Sequence, residues 1–91
     1  MLNYQAAYRM QMGAFFGEVS GFGEVSAIGP TLEAARSNLL SALRYAAERA
    51  LRRGEALPLP VPGPAPADAY LIETLTLVPE GGDRVSVRLG G

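Results

Sequence analysis

Residues 31–54, TLEAARSNLLSALRYAAERALRRG, are the stretch whose reading decides the fold. Gly29 and Pro30 break the chain before it, and the Thr31 hydroxyl is suited to accept an orphan backbone N–H at a helix start. Leu32, Ala35, Leu39, Leu43, Ala46 and Ala50 recur at steps of three and four, flanked by Leu40 and Ala47. This makes one apolar stripe of helical period. Glu33 in the first turn and Arg49, Arg52 and Arg53 in the last suit the helix dipole, and Gly54 can take the left-handed conformation that ends the helix. A helix over 31–53 is predicted, about 34 Å long at 1.5 Å per residue. Its alanine-rich stripe is shallow and cannot bury itself, so it needs a sheet to lie on.

The flanking segments supply that sheet. Upstream, Leu2, Tyr4, Ala6, Tyr8 and Met10 alternate with Asn3, Gln5, Ala7, Arg9 and Gln11, the period of a half-buried strand. A turn at Gly13 leads to a second strand over 14–20, and the tight spacing implies an antiparallel hairpin. Gly21-Phe22-Gly23 is a turn, and a third short strand over 24–28 delivers the chain to the helix. Phe15 and Phe16 are adjacent and must point to opposite faces. Downstream, 70–78 (YLIETLTLV) has the most strand character in the chain. Leu71, Glu73, Leu75 and Leu77 are expected on one face, and Tyr70, Ile72, Thr74, Thr76 and Val78 on the other. After a turn at 79–83, a last strand over 84–89 points Val85, Val87 and Leu89 inward.

Between helix and last strands lies EALPLPVPGPAPADA, with prolines at 58, 60, 62, 64 and 66. Each proline fixes its own φ and pushes the residue before it to extended geometry, so this is a stiff spacer. Its span over 56–66 is about 34 Å at 3.1 Å per residue, matching the helix. Such reach allows a return to the sheet's other end or docking on a neighbouring subunit. The chain is thus read as one α+β domain. It has a strand-strand-strand-helix core over 1–54, a proline-rich spacer over 55–69 and a C-terminal strand pair over 70–91.

Composition narrows the function. A chain of 91 residues buries only about 60–65% of its unfolded-chain surface, and self-association is a common remedy for so small a core. There is no cysteine and no histidine, so disulfides, thiolate metal sites and imidazole bases are excluded. Net charge is −1 and every basic residue is arginine, without a basic stripe, so DNA binding is not expected. MLNYQAAYRM holds no long apolar run; neither signal peptide nor membrane span is expected, and the default location is cytoplasmic.

Gly29, Thr31, Leu32, Glu33 and Ala35, then Asn38, Leu39, Ala42 and Leu43, then Gly54, Pro58 and Pro60 resemble the HicB-like antitoxin family in order and spacing, over roughly residues 2 to 60. The resemblance implies a partly ribonuclease-H-like sheet with a helix. It implies a protein-binding module that sequesters a small toxin ribonuclease through protein–protein contact. Many members also carry a DNA-binding tail. Here a strand pair follows instead, Ser20-Gly21-Phe22-Gly23 lacks the family's prolines, and Ala34 replaces a second glutamate. The alternatives are an oligomeric scaffold of the same fold without a toxin, and, less favoured, a metal-dependent nuclease using Glu18, Glu24, Glu33 and Glu73. No catalytic residue, metal ligand or cofactor site is assigned. Arg49, Arg52 and Arg53 could meet phosphate or an acidic partner. The expected partner or oligomer surface comprises Phe15, Phe16, Phe22, Tyr70, Ile72 and Val78, with self-association as a homodimer or tetramer.

Overall fold

In the computed structural model, residues 1–22, 25–61 and 66–90 are described, and they form five strands and one helix. β1 (Leu2–Gln11), β2 (Ala14–Val19) and β3 (Ser26–Gly29) precede α1 (Leu32–Arg52), and β4 (Leu71–Gly81) and β5 (Arg84–Gly90) follow it. The sheet runs β3-β2-β1-β4-β5, every neighbouring pair antiparallel, with α1 over one face. This is the α+β layout expected from the sequence; the ribonuclease-H-like character is not shown by it. β3 begins at Ser26, two residues later than predicted; Glu24, the predicted start, lies outside the described residues, as do Pro62 and Pro64 of the spacer.

The helix forms where its signals place it. Thr31 is extended and its Oγ1 accepts the Ala34 N–H at 3.0 Å. Gly54, at φ 71°, ends the helix. Ala35, Leu39, Leu43 and Ala47 are buried against Tyr4, Tyr8, Leu75 and Leu77 of the sheet. Gly29 is where strand and helix touch most closely. A Cβ there would lie 2.5 Å from the Ala35 nitrogen, so only glycine lets α1 start directly on β3.

β1 is the middle strand. Register and alternation place Tyr4, Ala6 and Tyr8 under the helix, with Val19, Gly17 and Phe15 of β2 on the same face. β4 pairs with β1 within the same chain, setting Leu75 against Tyr4 and Leu77 against Leu2. The spacer achieves this by returning over its own domain. Leu57 packs on the core, the Tyr4 hydroxyl donates to the Pro58 carbonyl, and the Tyr70 N–H donates to the Tyr8 carbonyl at 2.6 Å. β4 runs three residues beyond its predicted end, with an irregularity between Pro79 and Gly81. Pro79 lies past the last β1 partner, so its missing N–H interrupts no bond to that strand. No helix among the described residues is long and apolar enough to cross a membrane.

Candidate functional site

A group of exposed apolar side chains gathers at the β1–β2 hairpin. The connection is the two-residue turn Met12-Gly13, with φ 51° and 78°. Both residues take the left-handed region, the conformation that suits the twist of a tight hairpin and that Asn-Gly adopts most readily. Methionine is a costly choice at the first position, by about 1–2 kcal/mol. Its side chain gains no cover in return, since Met12 is fully exposed. Beside it, Met10 pairs with Phe15, and the Phe15 ring meets Tyr70 edge-to-face at 5.4 Å. Met10 is 58% exposed and Tyr70 60% exposed, so Met10, Met12, Phe15 and Tyr70 make one apolar end to the molecule.

Of the six residues expected to meet a partner, Phe15 and Tyr70 are thus brought together. Tyr70 does not share a face with Ile72 and Val78 as predicted. It precedes β4, where strand alternation does not govern it, and its ring turns to Phe15. Phe16 lies on the sheet face away from the helix, with the Arg9 guanidinium 4.8 Å above its ring. Ile72 and Val78 lie on that face too, two strands away, with Ile72 paired with Ala7. Phe22 is buried, its ring edge-on to Tyr4 at 5.4 Å, so it presents little to a partner. Met10 and Met12 are not among the surface residues expected from the sequence. Alternation put Met10 inward, and the signal for Met12 was a bulky residue directly before a turn glycine.

The acids do not converge. Glu18 is on the face away from the helix, 3.7 Å from Arg9, and Glu33 is in the exposed first turn of α1. Glu73 faces the helix, and Glu24 lies outside the described residues. Among the described residues no group of three acids stands close enough to hold a metal ion. Glu73 instead grips α1: its two carboxylate oxygens accept from Arg36 Nε at 2.9 Å and Nη2 at 3.1 Å. This is a bidentate pair, the geometry that gives arginine its advantage over lysine. Beside it is the buried Tyr8 hydroxyl, without a hydrogen-bond partner in good geometry. Burial first, and the adjoining Glu73 carboxylate second, push the Tyr8 hydroxyl well above the ordinary tyrosine range. Burial also raises that of Tyr4.

Of the arginines at the end of α1, Arg49 borders a cleft of about 430 Å³ between the helix and the start of the spacer, and Arg52 and Arg53 are not among its lining residues. Ala42 and Ala46 line its helix side, Phe22 and Val25 lie opposite, and Tyr45, Arg49 and Glu55 border it. The Arg49 guanidinium lies 5.8 Å from the Tyr45 ring centre. No protein-family model, curated protein or solved structure matches this chain.

Proposed function

We propose that this chain is a protein-binding module of the HicB-like antitoxin kind, which sequesters a small toxin ribonuclease by covering its surface. The observation that carries the protein-binding part is the apolar hairpin end. Met10, Phe15 and Tyr70 form a flexible-plus-aromatic surface, and Met12 is held out beyond them at a backbone cost with no return inside the chain. Methionine and aromatic rings are the side chains that protein interfaces favour, and methionine adapts to irregular surfaces. The toxin part rests on the resemblance of roughly residues 2 to 60 to the family. The reading assigns no catalysis to this chain: Glu73 is engaged with Arg36, and Glu18 lies across the sheet from it.

The test is inhibition. A small basic protein encoded beside this chain is purified, and its cleavage of RNA is followed as this protein is added. Cleavage should stop near equimolar addition, and Met12→Glu with Tyr70→Ala should weaken inhibition by at least tenfold while the fold persists. A neighbour that cleaves RNA unhindered by the intact protein would refute the toxin reading. Inhibition undiminished in the double variant would move the binding surface elsewhere.

A further inference from the structure

The two edges of the sheet are not equivalent. Alternation of the ladder decides which backbone groups face outward. The Gln5 carbonyl accepts from Ser20, so the odd residues of β1 bond toward β2 and the even ones toward β4. Carried through the pairings, this leaves Ser26 and Ile28 facing out from β3, and Val85, Val87 and Leu89 facing out from β5. Two bonds agree with that assignment. Asn38 Nδ2 donates to the outward Ile28 carbonyl at 3.0 Å, and Glu48 Oε2 accepts the outward Val85 N–H at 3.0 Å.

The β3 edge is therefore short, capped by Asn38 and followed at once by Pro30. Among the described residues, the β5 edge is capped at Val85 only. Beyond it, the N–H and C=O groups of Val87 and Leu89 stand in a row, in a segment with neither proline nor lysine. Edges left like this are templates for another strand, and natural sheets normally blunt them. Leu89 on this edge is 48% exposed.

We infer that the β5 edge pairs with β5 of a second copy of this chain, antiparallel about a two-fold axis at Val87, to give one continuous ten-stranded sheet. Val87 faces Val87, and each Leu89 faces the other copy's Val85. The Val87 N–H groups donate to each other's carbonyls, and each Leu89 N–H donates to the opposite Val85 carbonyl. Four main-chain bonds form, and none disturbs the bond from Val85 to Glu48. Three features select this register and a self-partner. On the helix face it sets exposed Leu89 against valine. On the other face it sets Arg88 opposite Ser86, whose buried hydroxyl oxygen has no partner among the described residues. The register centred one residue later would oppose Arg88 with Arg88, and like charges directly opposite are unfavourable. The inference does not depend on the toxin reading, because it uses the other end of the molecule's chemistry, backbone edge rather than apolar tip.

Two variants test it. Val87→Pro removes an N–H that bonds nothing among the described residues, so the monomer keeps its ladder, while both central bonds of the dimer are lost. The intact protein should sediment as a dimer at micromolar concentration, and Val87→Pro should raise the dissociation constant at least about 30-fold with the helical circular dichroism retained. The chain has no cysteine, so Val87→Cys places a single thiol on the axis. Paired residues there stand about 5.5 Å apart between Cα atoms, within disulfide reach. Under mild oxidation Val87→Cys should cross-link into a covalent dimer, and Ser41→Cys on the exposed side of α1 should not. A monomeric intact protein, a Val87→Pro variant that dimerises as the parent does, or cross-linking at Val87 no faster than at Ser41 would each overturn the pairing. If Val87→Pro fails to fold, the cross-linking comparison decides alone.

Discussion

The Arg36–Glu73 pair is the most decisive place to perturb the fold. The Glu73 side chain is 15% exposed and that of Arg36 25%. Removing one partner from a fully buried pair costs about 3–5 kcal/mol, whereas surface pairs contribute about 0–1 kcal/mol. The residual exposure here puts the cost of a single change near the middle, about 2 kcal/mol. Glu73→Leu leaves the guanidinium without its fork, and Arg36→Met leaves a carboxylate among Leu71, Leu75 and the Tyr8 ring. For a domain of this size each should lower Tm by about 8–16 °C. The double variant removes both charges and fills the space with aliphatic side chains, so it should recover to within about 1 kcal/mol of the parent. Thermal and urea unfolding of all four proteins gives the coupling directly. Single variants within about 0.5 kcal/mol of the parent would refute the reasoning, as would a double variant whose loss is the sum of the two. The first result would mean a solvated pair. The second would mean that each side chain acts through packing alone.

Three further outcomes follow from the same packing. Leu43, wholly buried under α1, should cost about 2–5 kcal/mol on change to alanine, read by urea unfolding; a melting point within a degree or two of the parent would mean that another helix face is buried. Met12→Gly should stabilise the protein by about 1 kcal/mol, because the turn needs φ 51° there; an unchanged or lowered midpoint would mean that Met12 is not strained. Tyr4 and Tyr8 both have their hydroxyl pKa raised by burial, from an ordinary 10.0. Their neutral forms therefore stabilise the fold fully below about pH 10, and that contribution is lost as pH climbs through the raised values. Absorbance titration at alkaline pH should show two tyrosines ionising only with unfolding, and Tyr8→Phe should widen the alkaline range of the folded state. Four tyrosines ionising together near pH 10, before the fold is lost, would contradict this.

The helix and the central strands were legible because several local signals agreed. Thr31, the apolar stripe and Gly54 each marked the same helix, and the alternation in β1 named the buried tyrosines. The β1–β4 pairing was legible as far as the spacer's reach, which fits either docking within one chain or exchange between two. What the sequence could not show begins where strand alternation stops. Phe22 and Tyr70 lie just outside strands, in a turn and in a strand approach, so parity says nothing of their direction. Phe22 turns in to Tyr4 and Tyr70 turns to Phe15, each the reverse of its expected side. Glu73 carried a signal, an acid among inward leucines at 71, 75 and 77. Its partner was hidden because Arg36 sits at the margin of the helical stripe, beside Ala35, and reads as a surface residue.

The same helix also decides which edge of the sheet stays open. Asn38 and Glu48 are ten residues apart, about 15 Å along α1, and the five strands span about 19 Å from edge to edge. A helix lying across the sheet can therefore reach both edges with one side chain each, Asn38 to Ile28 and Glu48 to Val85. Its shallow alanine face allows it to lie close enough for these short side chains to arrive. At β3 the four-residue strand ends where the cap sits, so the edge is closed. At β5 the strand runs five residues past its cap, to Gly90, and α1 has already turned to the spacer at Gly54. The open run at Val87 and Leu89 thus lies past the point where Glu48 meets the strand. Blunting the strand would close it: Leu89→Pro, whose lost N–H bonds nothing among the described residues, should leave the fold intact and weaken the dimer seen by sedimentation.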